Sequence, residues 1–226
     1  MKNVVITGSS RGIGFELVNL FSQNNYNVIA LSRNVSSITK LNLNNVSTFS
    51  TDLSDADSIN NAVEFIKNNF STVDVLINNA GKLINKPFIE TTIQDFKSVY
   101  SVNVFGLAEL IRLLIPSFCN TSHIINISSI GGIGGSSKFP GLSAYSSSKA
   151  ALNVLTEMLY EEFKLSGPIV NTLALGAVQT EMLEEAFPGY QAPLSSTEMA
   201  HYIYDFSING HKYFNGKILP VSISNP

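Results

Sequence analysis

Cysteine is almost absent from this chain of 226 residues: there is one, Cys119. No intrachain disulfide can form, which fits a reducing cytoplasm. Cys119 has no catalytic neighbours in sequence and reads as a packing residue. Positive charge is sparse too, with 14 Lys and Arg against 17 Asp and Glu and a formal net charge of −3. Without a basic cluster, neither nucleic acid nor an anionic membrane is an expected partner. No apolar run reaches the ~18 residues of a membrane span. The first strand candidate is entered at Val4, so no signal peptide is expected. The three histidines, His123, His201 and His211, are scattered without ligand spacing, so no metal site is expected. The expectation is a cytoplasmic protein of one domain, residues 1–226, whose 44% apolar residues suffice for a substantial core.

The most informative stretch runs from Val4 to Gly14, VVITGSSRGIG. Val4, Val5 and Ile6 are strand formers, Gly8, Gly12 and Gly14 form a loop, and Ile13, Leu17, Val18, Leu20 and Phe21 then recur at helical spacing. Strand, glycine turn and helix is a dinucleotide-binding layout. Missing side chains let backbone approach a pyrophosphate, and the helix N-terminus offers free N–H groups. The bland reading is a loop that merely turns tightly.

Further strands are expected at Tyr26–Ser32, Val46–Ser50, Val73–Ile77, His123–Ile127, Ile169–Leu173 and near Lys217–Val221, with helices between them. The alternation predicts a doubly wound α/β fold of Rossmann type. At the end of the second strand an acid would bind a ribose 2′-hydroxyl and repel a 2′-phosphate. Ser32, Arg33 and Asn34 stand there instead, and Arg11 is a second cation in the glycine loop. Unless both arginines are simply solvated, they favour NADP(H) over NAD. Asp52, beside Leu53, is placed to bond the adenine amino group or to serve as a cap. Asn78 and Asn79, before Ala80 and Gly81, can pin strands or let backbone pass close to a ligand. Asn103 lies mid-helix among apolar residues, where it needs partners. It is expected to distort the helix and hold water, or to bond a neighbouring loop.

Ser128 and Ser129 end the fifth strand, where ligands of open parallel sheets bind. A glycine-rich loop follows, and then Tyr145 and Lys149, which share one helix face. A phenol with its ordinary pKa of ~10 exchanges protons poorly near neutrality. A nearby ammonium stabilises the phenolate and lowers that value. Tyr145 could then pass a proton to a carbonyl oxygen held by Ser129.

In this order, the glycine loop, Asn78–Gly81, Asn103, the serine pair and Y-x-x-x-K resemble the short-chain dehydrogenase/reductase family over essentially the whole chain. The resemblance implies a seven-stranded parallel sheet with helices on both faces. It also implies a catalytic set of Asn103, Ser129, Tyr145 and Lys149, with the asparagine supporting a water relay and the lysine binding the nicotinamide ribose. Cofactor contacts are implied for Gly8, Ser10, Arg11, Gly12, Ile13, Gly14, Ser32, Arg33, Asn34, Asp52, Leu53, Asn79, Ala80, Gly81, Tyr145 and Lys149. Gly176, Val178 and Thr180, in a turn similar to the family's PG-x-V-x-T-x-M, complete that set. A homodimer is implied, paired through helices near 92–118 and 144–165, with a tetramer as the larger alternative.

Several features depart from the pattern. Ser129 precedes Tyr145 by 16 positions, about three more than usual, which leaves Ser128 as an alternative. Leu175 replaces a proline, and the SISNP end lacks the glycine-rich tail that joins subunits. Residues 180–195 read as a short lid. Ile130, Phe139, Leu142, Val178, Leu183, Phe187 and Tyr190 make an apolar lining suited to a small neutral ketone or aldehyde. No arginine follows Arg112, so an anionic carrier has few anchors, though Lys138 and other lysines remain. The leading expectation is an NADPH-dependent carbonyl reductase. The alternatives are a catalytically silent NADP-binding regulatory or scaffold protein, and a sugar-nucleotide epimerase or dehydratase. The last needs a larger C-terminal domain than the roughly 50 residues after Gly176 allow.

Overall fold

The computed structural model describes residues 1–223, so the last three residues of the SISNP end lie outside it. Strand-forming runs make a seven-stranded sheet: β1 (Asn3–Thr7), β2 (Asn27–Ser32), β3 (Val46–Ser50), β4 (Val75–Asn78), β5 (His123–Ser129), β6 (Ile169–Leu175) and β9 (Ile218–Val221). All neighbours are parallel, in the order β3-β2-β1-β4-β5-β6-β9. The order reverses between β1 and β4, registered as Val4–Val75 through Ile6–Ile77. A crevice opens beyond the strand ends at such a switch point.

The helices cover both faces, because each carries one apolar stripe. On one face, α1 (Gly12–Gln23) packs against α8 (Ser196–Asn209), with Leu17, Val18 and Phe21 meeting Ile203 and Phe206 in a shared core. On the other lie α3 (Ala56–Asn69), α5 (Leu107–Leu114) and α6 (Ser143–Phe163). Ile59, Ile66, Leu107, Leu110 and Leu152 are fully or nearly fully buried there. Side chains of this size each favour folding by about 1.5–3 kcal/mol when buried.

Two features differ from the sequence expectations and one agrees with them. The one that agrees is the long helix distorted at Asn103: α4 (Ile93–Tyr100) continues through π-helix (Ser101–Gly106) into α5 and a final 3-10 turn. Within Ile93–Ser117 an 18-residue window reaches a mean hydropathy of 1.5, enough by length and composition to cross a membrane, although Asp95, Lys97, Glu109 and Arg112 keep any uninterrupted apolar run in this stretch far shorter than 18 residues. Its apolar residues Val99, Leu107, Leu110, Ile111 and Leu114 are buried in the protein. Of the two that differ, one is a short helix, α2 (Ser36–Thr39), that no periodicity announced. The other is a two-stranded parallel pair, β7 (Val178–Gln179) with β8 (Leu194–Ser195), which brackets α7 (Glu181–Ala186) in the segment expected to be a lid.

Candidate active site

The glycine loop follows β1 at the switch point. Gly8 has φ +67°, and a Cβ there would sit 2.7 Å from the Ala80 Cα. A Cβ on Gly14 would overlap the Gly8 carbonyl oxygen at 2.2 Å. These glycines let the loop lie on the end of β4. Asn79 Nδ2 then donates to the Thr7 and Gly8 carbonyls at 3.1 and 3.0 Å, and the Ala80 N–H donates to Thr7 Oγ1 at 3.0 Å. Among the described residues no side chain caps the N-terminus of α1. Gly12 and Ile13, at its N-terminus, line the cavity, so its free N–H groups and positive dipole end fit a pyrophosphate.

The adenosine side is built at the ends of β2 and β3. Ser32 Oγ donates to the Asn34 carbonyl at 2.8 Å, and Asn34 Oδ1 accepts from the Ser36 N–H at 2.9 Å. Asp52 Oδ1 accepts from both Ser54 N and Ser54 Oγ, at 2.8 and 2.6 Å. These bonds, led by the Ser54 hydroxyl, hold its carboxyl below the ordinary value. Asp52 therefore makes a turn while still facing the cavity, whereas Asp55 caps α3. Arg33 lines the same wall, and its guanidinium has no hydrogen bond or ion pair among the described residues. Arg11 differs: Nη1 and Nη2 both donate to the Glu185 carboxylate on α7, the second at 3.1 Å. Nothing in sequence linked these two residues.

At the other end, α6 brings Tyr145 and Lys149 beside the end of β5. Ser128 Oγ donates to the Lys149 carbonyl at 3.2 Å, which fastens the helix to the strand. Ser129 Oγ accepts from the Gly131 N–H at 3.2 Å. Burial pushes the Tyr145 phenol up to about 12, with the Ser129 hydroxyl pulling the other way. The same cause lowers the buried Lys149 ammonium to about 8. Its Nζ lies 5.7 Å from the Tyr145 ring centroid and donates to the Ile127 carbonyl at 2.8 Å. The expected lowering of the phenol by Lys149 is overturned: desolvation raises it, and the ammonium faces the ring and a backbone carbonyl.

Asn103 is fully buried, and the π-helix places its amide against the segment after β4. Oδ1 accepts from the Lys82 N–H at 2.7 Å, and Nδ2 donates to the Lys82 carbonyl and Ser148 Oγ, both at 2.9 Å. The helix distortion expected from sequence is present, and both amide protons go to protein groups. Asn78 joins the sheet instead, with Nδ2 donating to Asn126 Oδ1 at 2.9 Å.

One continuous cavity of ≈ 760 Å³ joins these parts. All the sequence-selected site residues line it except Gly14 and Asn103, which pack behind it. The seven expected substrate-pocket residues, Ile130 to Tyr190, line it as well. Thr180 does so while its hydroxyl accepts from the Leu183 N–H at 3.3 Å, capping α7. Sequence reasoning missed a polar wall of Lys82, Gln94, Lys97, Ser98 and Ser101. The last four recur at helical spacing, a signal that was available.

Residues 2–191 match the profile of a family described as short chain dehydrogenase. An uncharacterized oxidoreductase of Staphylococcus saprophyticus is 36% identical over 192 residues, which cover 81% of this chain and 76% of that protein. The (S)-acetoin-forming diacetyl reductase of Staphylococcus aureus is 33% identical over 192 residues, covering 81% and 73%. Among solved structures, a short chain dehydrogenase from Burkholderia cenocepacia in complex with NADP has a TM-score of 0.86 at 22% identity, covering 98% of this chain and 96% of the other. At that identity the likeness speaks to the fold.

Proposed function

Because the chain belongs to the short-chain dehydrogenase family, a family of oxidoreductases, we propose that it reduces a small neutral ketone or aldehyde to the alcohol with NADPH. The observation that carries this reading is the convergence of Tyr145, Ser129 and Lys149 in the cavity that also holds the glycine loop. A nicotinamide bound there supplies hydride to the carbonyl carbon. Tyr145 gives its phenolic proton to the carbonyl oxygen, and Ser129 donates a hydrogen bond to that oxygen. Lys149 holds positive charge beside the phenolate left behind and presents N–H groups to ribose hydroxyls. Asn103, through Lys82, fixes the backbone that follows Gly81. The preference for NADPH rests on arginine, not acid, at the end of β2. The apolar lining and the likeness to a diacetyl reductase favour small ketones and diketones.

The test is NADPH oxidation, followed by absorbance, across ketones, aldehydes, diketones and acyl-thioesters, with NADH as the comparison. Tyr145→Phe should lower kcat by about 10²–10⁴-fold. Binding of NADPH with no turnover on any substrate would favour a regulatory role. Faster turnover with NADH would overturn the cofactor assignment. The same reading pairs two copies of the chain through outer faces where Phe105, Val154 and Met158 are exposed, which sedimentation velocity would reveal as a dimer.

A further inference from the structure

Two arginines reach the cofactor end of the cavity, and the structure treats them differently. Arg11, at the start of α1, has both terminal nitrogens on the Glu185 carboxylate. Paired this way, a guanidinium presents its planar fork to one carboxylate and has little of it left for a second anion. Its surroundings are also acidic: Glu16, Glu181 and Glu184 line the same surface depression as Arg11 and Glu185. A phosphate dianion arriving at Arg11 would meet these carboxylates before it gained a cation. Arg33, at the end of β2, has no such partner among the described residues. The carboxylate nearest it in effect is Asp52, whose Oδ1 already accepts two bonds from Ser54. Arg33 also adjoins Ser32 and Asn34 on the cavity wall, where the adenosine ribose of a dinucleotide fold is received.

We infer that Glu185 is a specificity-determining residue: it withholds Arg11 from the cofactor's 2′-phosphate and leaves Arg33 as the cation that reads it. The inference rests on the NADP reading of this site and divides its labour between the two arginines. It also makes the lid helix part of cofactor selection, since the acid that silences one arginine comes from α7.

Calorimetric titration of the full chain with 2′,5′-ADP and with 5′-AMP isolates the phosphate from the rest of the cofactor. The wild-type protein should bind 2′,5′-ADP more tightly. Arg33→Gln should cut that preference by about tenfold or more, the loss expected for a charge-assisted contact. Arg11→Gln should leave the preference within about twofold. Glu185→Gln should tighten 2′,5′-ADP by about threefold through the released Arg11, leave 5′-AMP unchanged, and have no effect in an Arg11→Gln background. The pair is solvent-exposed, with side chains 47% and 62% accessible, so these variants should keep the wild-type Tm. If Arg11→Gln erases the preference as Arg33→Gln does, or Glu185→Gln changes nothing, the inference is wrong while the NADP reading stands. If the wild-type protein binds both probes alike, the NADP reading itself fails and the inference falls with it.

Discussion

Burial acts in opposite senses on the two groups at the centre of the candidate site, and this sets an expected pH dependence. A desolvated phenol holds its proton more tightly and a desolvated ammonium less tightly, which is why Tyr145 lies near 12 and Lys149 near 8. The proposed carbonyl reduction needs the tyrosine protonated and the lysine charged. The first condition holds across the accessible range, so the second is limiting. kcat/KM for reduction should be level below pH 8 and fall by about tenfold per unit above it. Lys149→Arg keeps its charge at any usable pH, so whatever activity it retains should lose this alkaline fall. A wild-type profile that stays level to pH 10 would refute a need for the Lys149 charge. The i,i+4 spacing of Tyr145 and Lys149 was legible in the sequence. Their protonation behaviour was not, because it depends on β5 and on loops that close over α6. The Arg11–Glu185 pair was illegible for a related reason: glutamates crowd α7, and only the fold selects the one that meets the glycine loop.

At the scale of elements, the long strands and helices followed from apolar periodicity, whereas β7, β8 and α2 were too short to show any period. The π-helix was foreshadowed by Asn103 alone, and Gly106 shows why its exact course matters. A Cβ on Gly106 would lie 1.8 Å from the Leu53 carbonyl oxygen, a backbone atom that cannot swing aside. Gly106→Ala must push the helix off the segment carrying Asp52 and Leu53. It should cost about 1–3 kcal/mol despite alanine's higher helix propensity, and it should weaken dinucleotide binding. At Gly134 a Cβ would meet nothing within 4 Å, so Gly134→Ala should be near neutral. Equal urea midpoints for the two variants would remove Gly106 from this role. Asn103→Ala strips partners from the part-buried Lys82 N–H and C=O, and each lost hydrogen bond costs about 0.5–1.5 kcal/mol. That variant should lower the urea midpoint and raise the Kd for dinucleotide together, whereas loss of a water relay alone would lower kcat and leave both unchanged.

For the molecule as a whole, a doubly wound parallel sheet follows from strand–helix alternation and right-handed crossovers. How the end of the sheet away from the cavity is sealed does not. His123 and His211 look unrelated in sequence, yet their ring centroids are 5.8 Å apart. His123 is 1% exposed at the start of β5. Its Nδ1 lies 3.1 Å from the Ser207 carbonyl of α8, and its Nε2 lies 3.0 Å from Asn171 Nδ2 of β6. The amide is a donor, so Nε2 accepts and Nδ1 carries the proton: a neutral imidazole joins β5, β6 and α8. Burial lowers its pKa to about 4, and His211 adds a smaller repulsion. An unfolded chain would take up this proton near pH 6.5, the ordinary histidine value. Between 6.5 and 4 the unfolded state therefore binds more protons than the folded one. The contribution of His123 is complete above pH 6.5 and diminishes as pH falls, by about 3 kcal/mol at pH 4. His123→Gln should be less stable at pH 7, having lost a fitted ring, but its stability should fall less steeply between pH 6.5 and 4. Urea unfolding of both proteins across that interval measures the difference in slope, and parallel curves would show that the buried imidazole does not set the acid limit of the fold.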